Sequence, residues 1–319
     1  MTIRFFTALS LTCACFLWLS TFGPLLPHCL AQSPTEIQFK LESGTRSDDF
    51  DWNIAGTLEG TSPNILSELQ WRELETFMVR AQSKVTLPLG QGPFPLTVRG
   101  SVGYGWITDG SNRDSDYLGD NRTLEFSRSD NTAGDGDTQE ADLALGPRVS
   151  TASGKLALTP LIGYAYRKQE LTMTDGFQTI PDLGPFPGLD STYEHSWQGP
   201  FVGLDFEWKP LQKFSISSTL EYHRPDYEAE ADWNLRPDFN HPKSFEHKAD
   251  GKGILGSLSA HYYLSPAWSI NLGLNYQKWK ADNGTDEVFF SDGTTGITRL
   301  NEVNWRSTSV LLGLTWQIR

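Results

Sequence analysis

The side chains of this sequence that could do chemistry are carboxylates, and the most suggestive are Asp114 and Asp116 in the run Asp114-Ser115-Asp116-Tyr117. Aspartates at i and i+2 point to one side wherever the backbone is extended. Two facing carboxylates can share a proton or hold a water, which is the basis of general acid–base work. The same Asp-x-Asp spacing, with Asp120 close by, also suits a calcium-bridged loop or simple solubility. More familiar machinery is missing: the sequence has no Walker loop, no HExxH, no G-x-S-x-G and no cysteine or histidine cluster at metal spacing. No cofactor is implied.

Any such site needs a frame. Residues 1–31 read as a signal peptide, with Arg4 as the positive end, an apolar stretch to Leu26, and Cys29-Leu30-Ala31 before Gln32 as the cleavage region. Cys13, Cys15 and Cys29 all lie in this leader, so the mature chain has neither disulfides nor thiol ligands. The formal net charge of −13 becomes −14 when Arg4 leaves. Such acidity speaks against nucleic acid as a partner and against polybasic attachment to anionic lipid.

No later segment is long and apolar enough for a membrane helix. What recurs instead is alternation with a period of two, as in Trp268-Ser269-Ile270-Asn271-Leu272-Gly273-Leu274-Asn275-Tyr276, with an aromatic at each end. About ten alternating residues flanked by aromatics match a barrel strand crossing a bilayer. Ten such strands can be traced from Glu36 to Ile318. They are joined by short turns at 90–93, 152–155, 210–212 and 265–266, which take turns with long polar connections at 43–64, 108–139, 172–197, 232–248 and 282–301. The pattern predicts an all-β, ten-stranded antiparallel transmembrane barrel over residues 32–319, with short periplasmic turns and long extracellular loops, in the cell outer membrane. Its inner face would carry Lys40, Glu42, Arg80, Lys84, Arg99, Asp142, Arg148, Arg167, Asp205, Glu207 and Glu221, with His223 and His261. In so narrow a barrel these charges are expected to pair and fill the lumen, the alternative being a narrow charged pore.

On this frame the chain resembles the omptins, ten-stranded outer-membrane proteases. Ser67-Glu68-Leu69-Gln70-Trp71 is similar to the family's Leu-Asp-Trp segment. Gly105-Trp106 with Asp114-Ser115-Asp116-Tyr117 is similar to its Gly-Trp and Asp-Gln-Asp-Trp pair, and Tyr263-Leu264-Ser265-Pro266 to a strand-joining turn. Tyr222 through Leu235 lies on the family's Asp-Glu-His segment without a gap, which sets Asp232 on the family aspartate. The chain also resembles outer-membrane barrels of chlamydia-like bacteria. The omptin resemblance implies a rim endopeptidase in which Asp114 and Asp116 face an Asp–His couple across a water. At the histidine position, however, stands Asn234, whose amide cannot serve as a base. His241 and His247 follow in the same connection without the i+2 spacing that would hold them beside Asp232.

Two expectations follow. The first is a non-proteolytic omptin-like barrel with a surface-structural, adhesive or narrow-porin role. The second is an active rim endopeptidase using the aspartates and a water nucleophile. In either case the expected partners are outer-membrane lipid, lipopolysaccharide among it, and cationic peptides drawn to the acidic rim. Oligomeric state is not readable.

Overall fold

The computed structural model describes residues 35–89 and 94–318. The leader and the turn at 90–93 lie outside these residues. The strands are β1 Glu36–Ile54, β2 Ser67–Leu87, β3 Leu96–Gly119, β4 Thr123–Pro147, β5 Val149–Ser150, β6 Leu156–Ile180 and β7 Gly184–Pro185. They continue with β8 Ser191–Leu211, β9 Phe214–His223, β10 Asp226–Asp232, β11 Phe245–Tyr263, β12 Trp268–Phe289 and β13 Thr295–Ile318. The pairs β5 and β7 are two-residue additions beside β6. Interrupted at Arg224-Pro225, β9 and β10 are two halves of one barrel strand, since both lie between β8 and β11. The ring closes where β1 pairs antiparallel with β13, from Ile37 opposite Ile318 to Ile54 opposite Leu300. Ten antiparallel barrel strands result, with every backbone ladder paired, as a bilayer requires.

Two exposed aromatic rows mark the membrane. Phe39, Trp208, Tyr262, Trp268 and Trp316 lie toward the short turns, and Phe77, Trp106, Tyr164, Tyr222 and Tyr276 toward the long ends. Between them Leu41, Val102, Leu143, Ile162, Leu272 and Leu312 face lipid. The strands do not stop at the upper row. At about 3.3 Å per residue, the 24 residues of β3 run roughly 80 Å, far beyond a bilayer core of about 30 Å.

Most of the expected long loops are therefore strand. The stretch 108–139 is the outer parts of β3 and β4 joined by a tight turn, and β1 carries on through 43–54. The reason is that the apolar face changes sides. In β1 the odd residues Phe39 and Leu41 face lipid while Lys40 and Glu42 face the lumen. Further out the even residues Phe50 and Trp52 are buried inside, and Asp49 and Asp51 face out. A strand outside the membrane buries its apolar face against the barrel's own interior, so a search for apolar residues facing outward sees only polar loop there.

The lumen is layered. At the periplasmic end lies a polar cavity of about 430 Å³ lined by Lys40, Lys84, Arg148, Glu207, His261 and Tyr263 among others. Along its wall and above it the lumen charges pair: Arg80 with Glu42 at 2.7 Å, Lys84 with Asp205 at 3.2 Å, Arg99 with Asp205 at 2.7 Å and also with Glu221, and Arg148 with Glu207 at 2.7 Å. The network continues through Arg46, bonded to Asp48 at 2.8 Å and Glu140 at 2.7 Å. Arg46 and Asp48 are invisible to a reading that ends the first strand at Glu42. Capping the charges is an aromatic layer of Phe50, Trp52, Trp71, Tyr193, Trp197, Tyr227, Phe245, Trp279 and Trp305, all buried.

Candidate functional site at the extracellular rim

The two aspartates reach the barrel mouth because the alternation of their strand is reset. In the membrane β3 sends Tyr104 and Trp106 to lipid, and simple continuation would send Asp114 and Asp116 outward too. Asp109-Gly110 in β3 and Asp135-Gly136 in β4 break that pattern together. In each, the glycine N–H donates to the preceding aspartate Oδ1 at 2.8 Å. Gly136 sits at φ +135°, and a Cβ there would meet the Glu170 carbonyl oxygen. Across from them β2 resets at Glu73, at φ 52°, whose N–H donates to Asp49. Such irregularities re-aim side chains at the rims of barrels. Beyond them Asp114 stands opposite Leu69 and Asn112 opposite Trp71, on the inner face, while Arg113 pairs with Asp130 outside.

Asp114 Oδ1 is buried without a hydrogen-bond partner. Burial, and then the charge of Asp116, push the Asp114 carboxyl well above the usual carboxylate range, against the pull of the Arg236 cation. Asp116 is raised as well, chiefly by burial, with Ser67, Arg236 and Ser127 opposing. The rim thus holds two carboxyls that resist being charged together.

The facing wall is the end of β10 and the connection to β11. Ser244 ties its base, donating its N–H to the Ala231 carbonyl and accepting from Trp233 N–H on Oγ. Successive turns, Arg236 N–H to Trp233 carbonyl and Phe239 N–H to Arg236 carbonyl, fold the segment back. They carry His241 to Asp232, with Nδ1 and Oδ1 at 2.6 Å. The Nε2 of the same ring faces the Arg236 carbonyl oxygen at 3.3 Å. The bond to Asp232 raises the His241 pKa above its ordinary value.

An imidazole therefore does couple to Asp232, nine residues on instead of two, where spacing along the chain argued against it. Asn234 does another job: its Oδ1 accepts from Asp190 N–H at 3.1 Å and Ser191 Oγ at 3.0 Å, and its Nδ2 donates to the Gly188 carbonyl at 2.7 Å. It staples the neighbouring connection and leaves the cleft to others. His247 stays inside, bonded to Tyr193 at 2.9 Å and beside Asp286 at 3.2 Å. Asp120 closes its own turn through its carbonyl, which accepts from Thr123 Oγ1, while its Oδ1 accepts from Asn64 N–H of the β1–β2 connection; it does not join Asp114 and Asp116. Among the described residues no acidic or histidine group is arranged to hold a metal. Arg236, gripped by Asp238 at 2.9 Å and lying over the Phe239 ring, is the rim residue that sequence reasoning missed. No motif announces it, because its place depends on how the connection folds back.

The sequence matches the model of the Protochlamydia outer membrane protein family over residues 40–318, almost the whole barrel. The chain belongs to that family. Its place is accordingly the cell outer membrane, and its fold is omptin-like. Among solved structures, the outer membrane protease OmpT of Escherichia coli superposes with a TM-score of 0.72 at 15% identity, over 91% of this chain and 99% of OmpT. At that identity the likeness is one of fold. The translocator domain of the autotransporter NalP from Neisseria meningitidis gives a TM-score of 0.37 at 12% identity, covering 90% of each chain. Comparison with curated proteins gives no match.

Proposed function

We propose that this Protochlamydia-type barrel is a surface protein that binds cationic groups at its extracellular rim and does not hydrolyse peptide bonds. One observation carries the reading: both nitrogens of His241 are turned toward acceptors in its own connection, Asp232 Oδ1 and the Arg236 carbonyl. A ring held so has both nitrogens engaged within its own connection and turns neither toward a water above Asp114 and Asp116. A general base commonly contributes a factor of about 10²–10⁴, so its loss leaves peptide hydrolysis far below a working rate. The acidic dyad and the chain's net negative charge support attraction of basic peptides that weakens with salt.

The test is cleavage of basic peptides by purified, lipopolysaccharide-supplemented protein. The expected outcome is no turnover above background, with salt-sensitive retention of the peptide. The 2.6 Å Asp232–His241 contact favours a second reading, an endopeptidase in which His241 stands in for the family histidine. That reading predicts cleavage abolished equally by Asp114→Asn and His241→Ala, and such a result overturns the first. The aromatic layer across the lumen supports a closed barrel over a porin role.

A further inference from the structure

The polar cavity at the periplasmic end carries a charge opposite to that of the chain around it. Among the described residues seven lysines and arginines line it against three carboxylates, Glu36, Asp205 and Glu207, in a protein whose formal net charge is −13. Further carboxylates reach its cations from behind the wall. Glu42 lies 3.1 Å from Lys40 and accepts from Arg80 at 2.7 Å and from Asn271 at 2.6 Å, so two cations share one acid. Glu221 serves Arg99, and Asp142, 3.8 Å from Arg99, is divided with Arg167 at 3.7 Å. With Asp142 set against Arg167, five acids face seven bases, an excess of two positive charges. Lys155 stands on the exposed turn 151–155 at the mouth and has no ion pair among the described residues. Another side of the chamber bears hydroxyls: on β9 Ser217 and Thr219 stand opposite Ser259 and Ser257 of β11, with Ser215 opposite His261.

We infer that this chamber is a binding site for a small phosphate-bearing anion of the periplasm, either free phosphate or the phosphate ester of a hydroxylated molecule. Its volume of about 430 Å³ suits a small solute and is too little for a folded partner. Its walls are the lipid-facing strands, and a cleft of one charge sign between low-dielectric walls focuses its field on what enters. Phosphate oxygens accept several charge-assisted bonds from lysine and arginine at once. Serine and threonine hydroxyls both donate and accept, which matches the hydroxyls of a sugar-like body. The cations are held in place beforehand, which lowers the cost of ordering them around a ligand. Lys84 reaches across the lumen from β2 to Asp205 and Glu207 of β8, at 3.2 and 2.5 Å, and Arg148 grips Glu207 at 2.7 Å. The turn 151–155 marks the mouth on the periplasmic side, and the aromatic layer lies on the other. The inference is independent of what the rim does.

The experiment is calorimetric titration of the purified barrel in zwitterionic detergent at low salt with a hexose monophosphate, inorganic phosphate and the uncharged hexose, heat-modifiable migration checking the fold. The hexose monophosphate is expected to bind at least about tenfold more tightly than the hexose. The Lys40→Gln, Lys155→Gln double variant removes the excess charge and leaves Glu42 with Arg80 and Asn271. It should bind the phosphates about tenfold more weakly, and Lys155→Gln alone, on its exposed turn, should lose a smaller factor. Lys248→Gln, which removes a charge at the extracellular end, should bind like the parent. Tighter binding of the ester than of inorganic phosphate assigns the hydroxyl wall to the ester's body, and equal affinity names free phosphate as the ligand. Absent binding of either phosphate, equal binding of the hexose, or equal binding by the double variant overturns the inference. So does a loss in Lys248→Gln as large as in the double variant, since net charge would then explain both.

Discussion

Asp114 is the rim residue whose ionisation the fold opposes most. Burial, and then the neighbouring Asp116, raise its pKa, and its Oδ1 has no hydrogen-bond partner, so the carboxyl is at ease only when neutral. The sign follows: its favourable contribution is complete below the unfolded value of about 4 and is lost as pH climbs through the raised folded value. Asp114→Asn removes that titration. The variant is expected to be more stable than the parent by about 1 kcal/mol at pH 8, and the two should converge near pH 4, as urea unfolding would read. His241 runs the same way for a base. Its pKa is raised by Asp232, so the pairing is strongest below the ordinary imidazole value and fades as pH rises through the raised one. His241→Ala should open the 233–244 connection to protease at pH 6, and the difference between parent and variant should narrow as pH rises. Equal cutting at pH 6 would remove the coupling from the account.

At the scale of elements, the rim is made by three strands that change phase together. The Asp-Gly steps in β3 and β4 and the Glu73 step in β2 turn Asp114 and Asp116 inward. Gly136→Ala forces a side chain into positive φ and against the Glu170 carbonyl. It should cost about 1–3 kcal/mol by urea unfolding, whereas an alanine at Gly154, in an open turn with nothing nearby, should cost less. The connection from β10 to β11 is the second deciding element. Its length lets His241 return to Asp232, and Asn234 is freed to pin the 188–191 segment.

Across the whole molecule, one closed ring serves two solvents. Inside the bilayer its apolar residues face lipid and its lumen is ionic, with Arg99 and Arg46 as the hubs. Outside the bilayer the same ring holds a buried aromatic core and shows charge to water. A buried cation in such a network stays only while its acids stay, since removing one partner strands a charge. The aromatic layer above the periplasmic cavity predicts a silent planar bilayer: no steady single-channel steps at low voltage from folded protein. Regular steps would show a water path through the layer of Trp71, Trp197, Trp279 and Trp305 and would revive the porin role.

Much of this was legible before any coordinates. The ten barrel strands, their lipid faces and the inward charges all follow from alternation, because a strand's two faces are set residue by residue and lipid accepts only apolar side chains. Asp114 and Asp116 were likewise found as a pair sharing one face. Three things were decided only by the folded chain. Much of the long connections proved to be strand, since the apolar residues there point into the barrel, where an outward count misses them. The direction of the two aspartates hangs on single irregular residues, whose effect depends on the partner strands resetting in step. The partner of Asp232 is chosen by the path of a connection that brings residue 241 closer than residue 234, and distance along a chain carries no information about such a return.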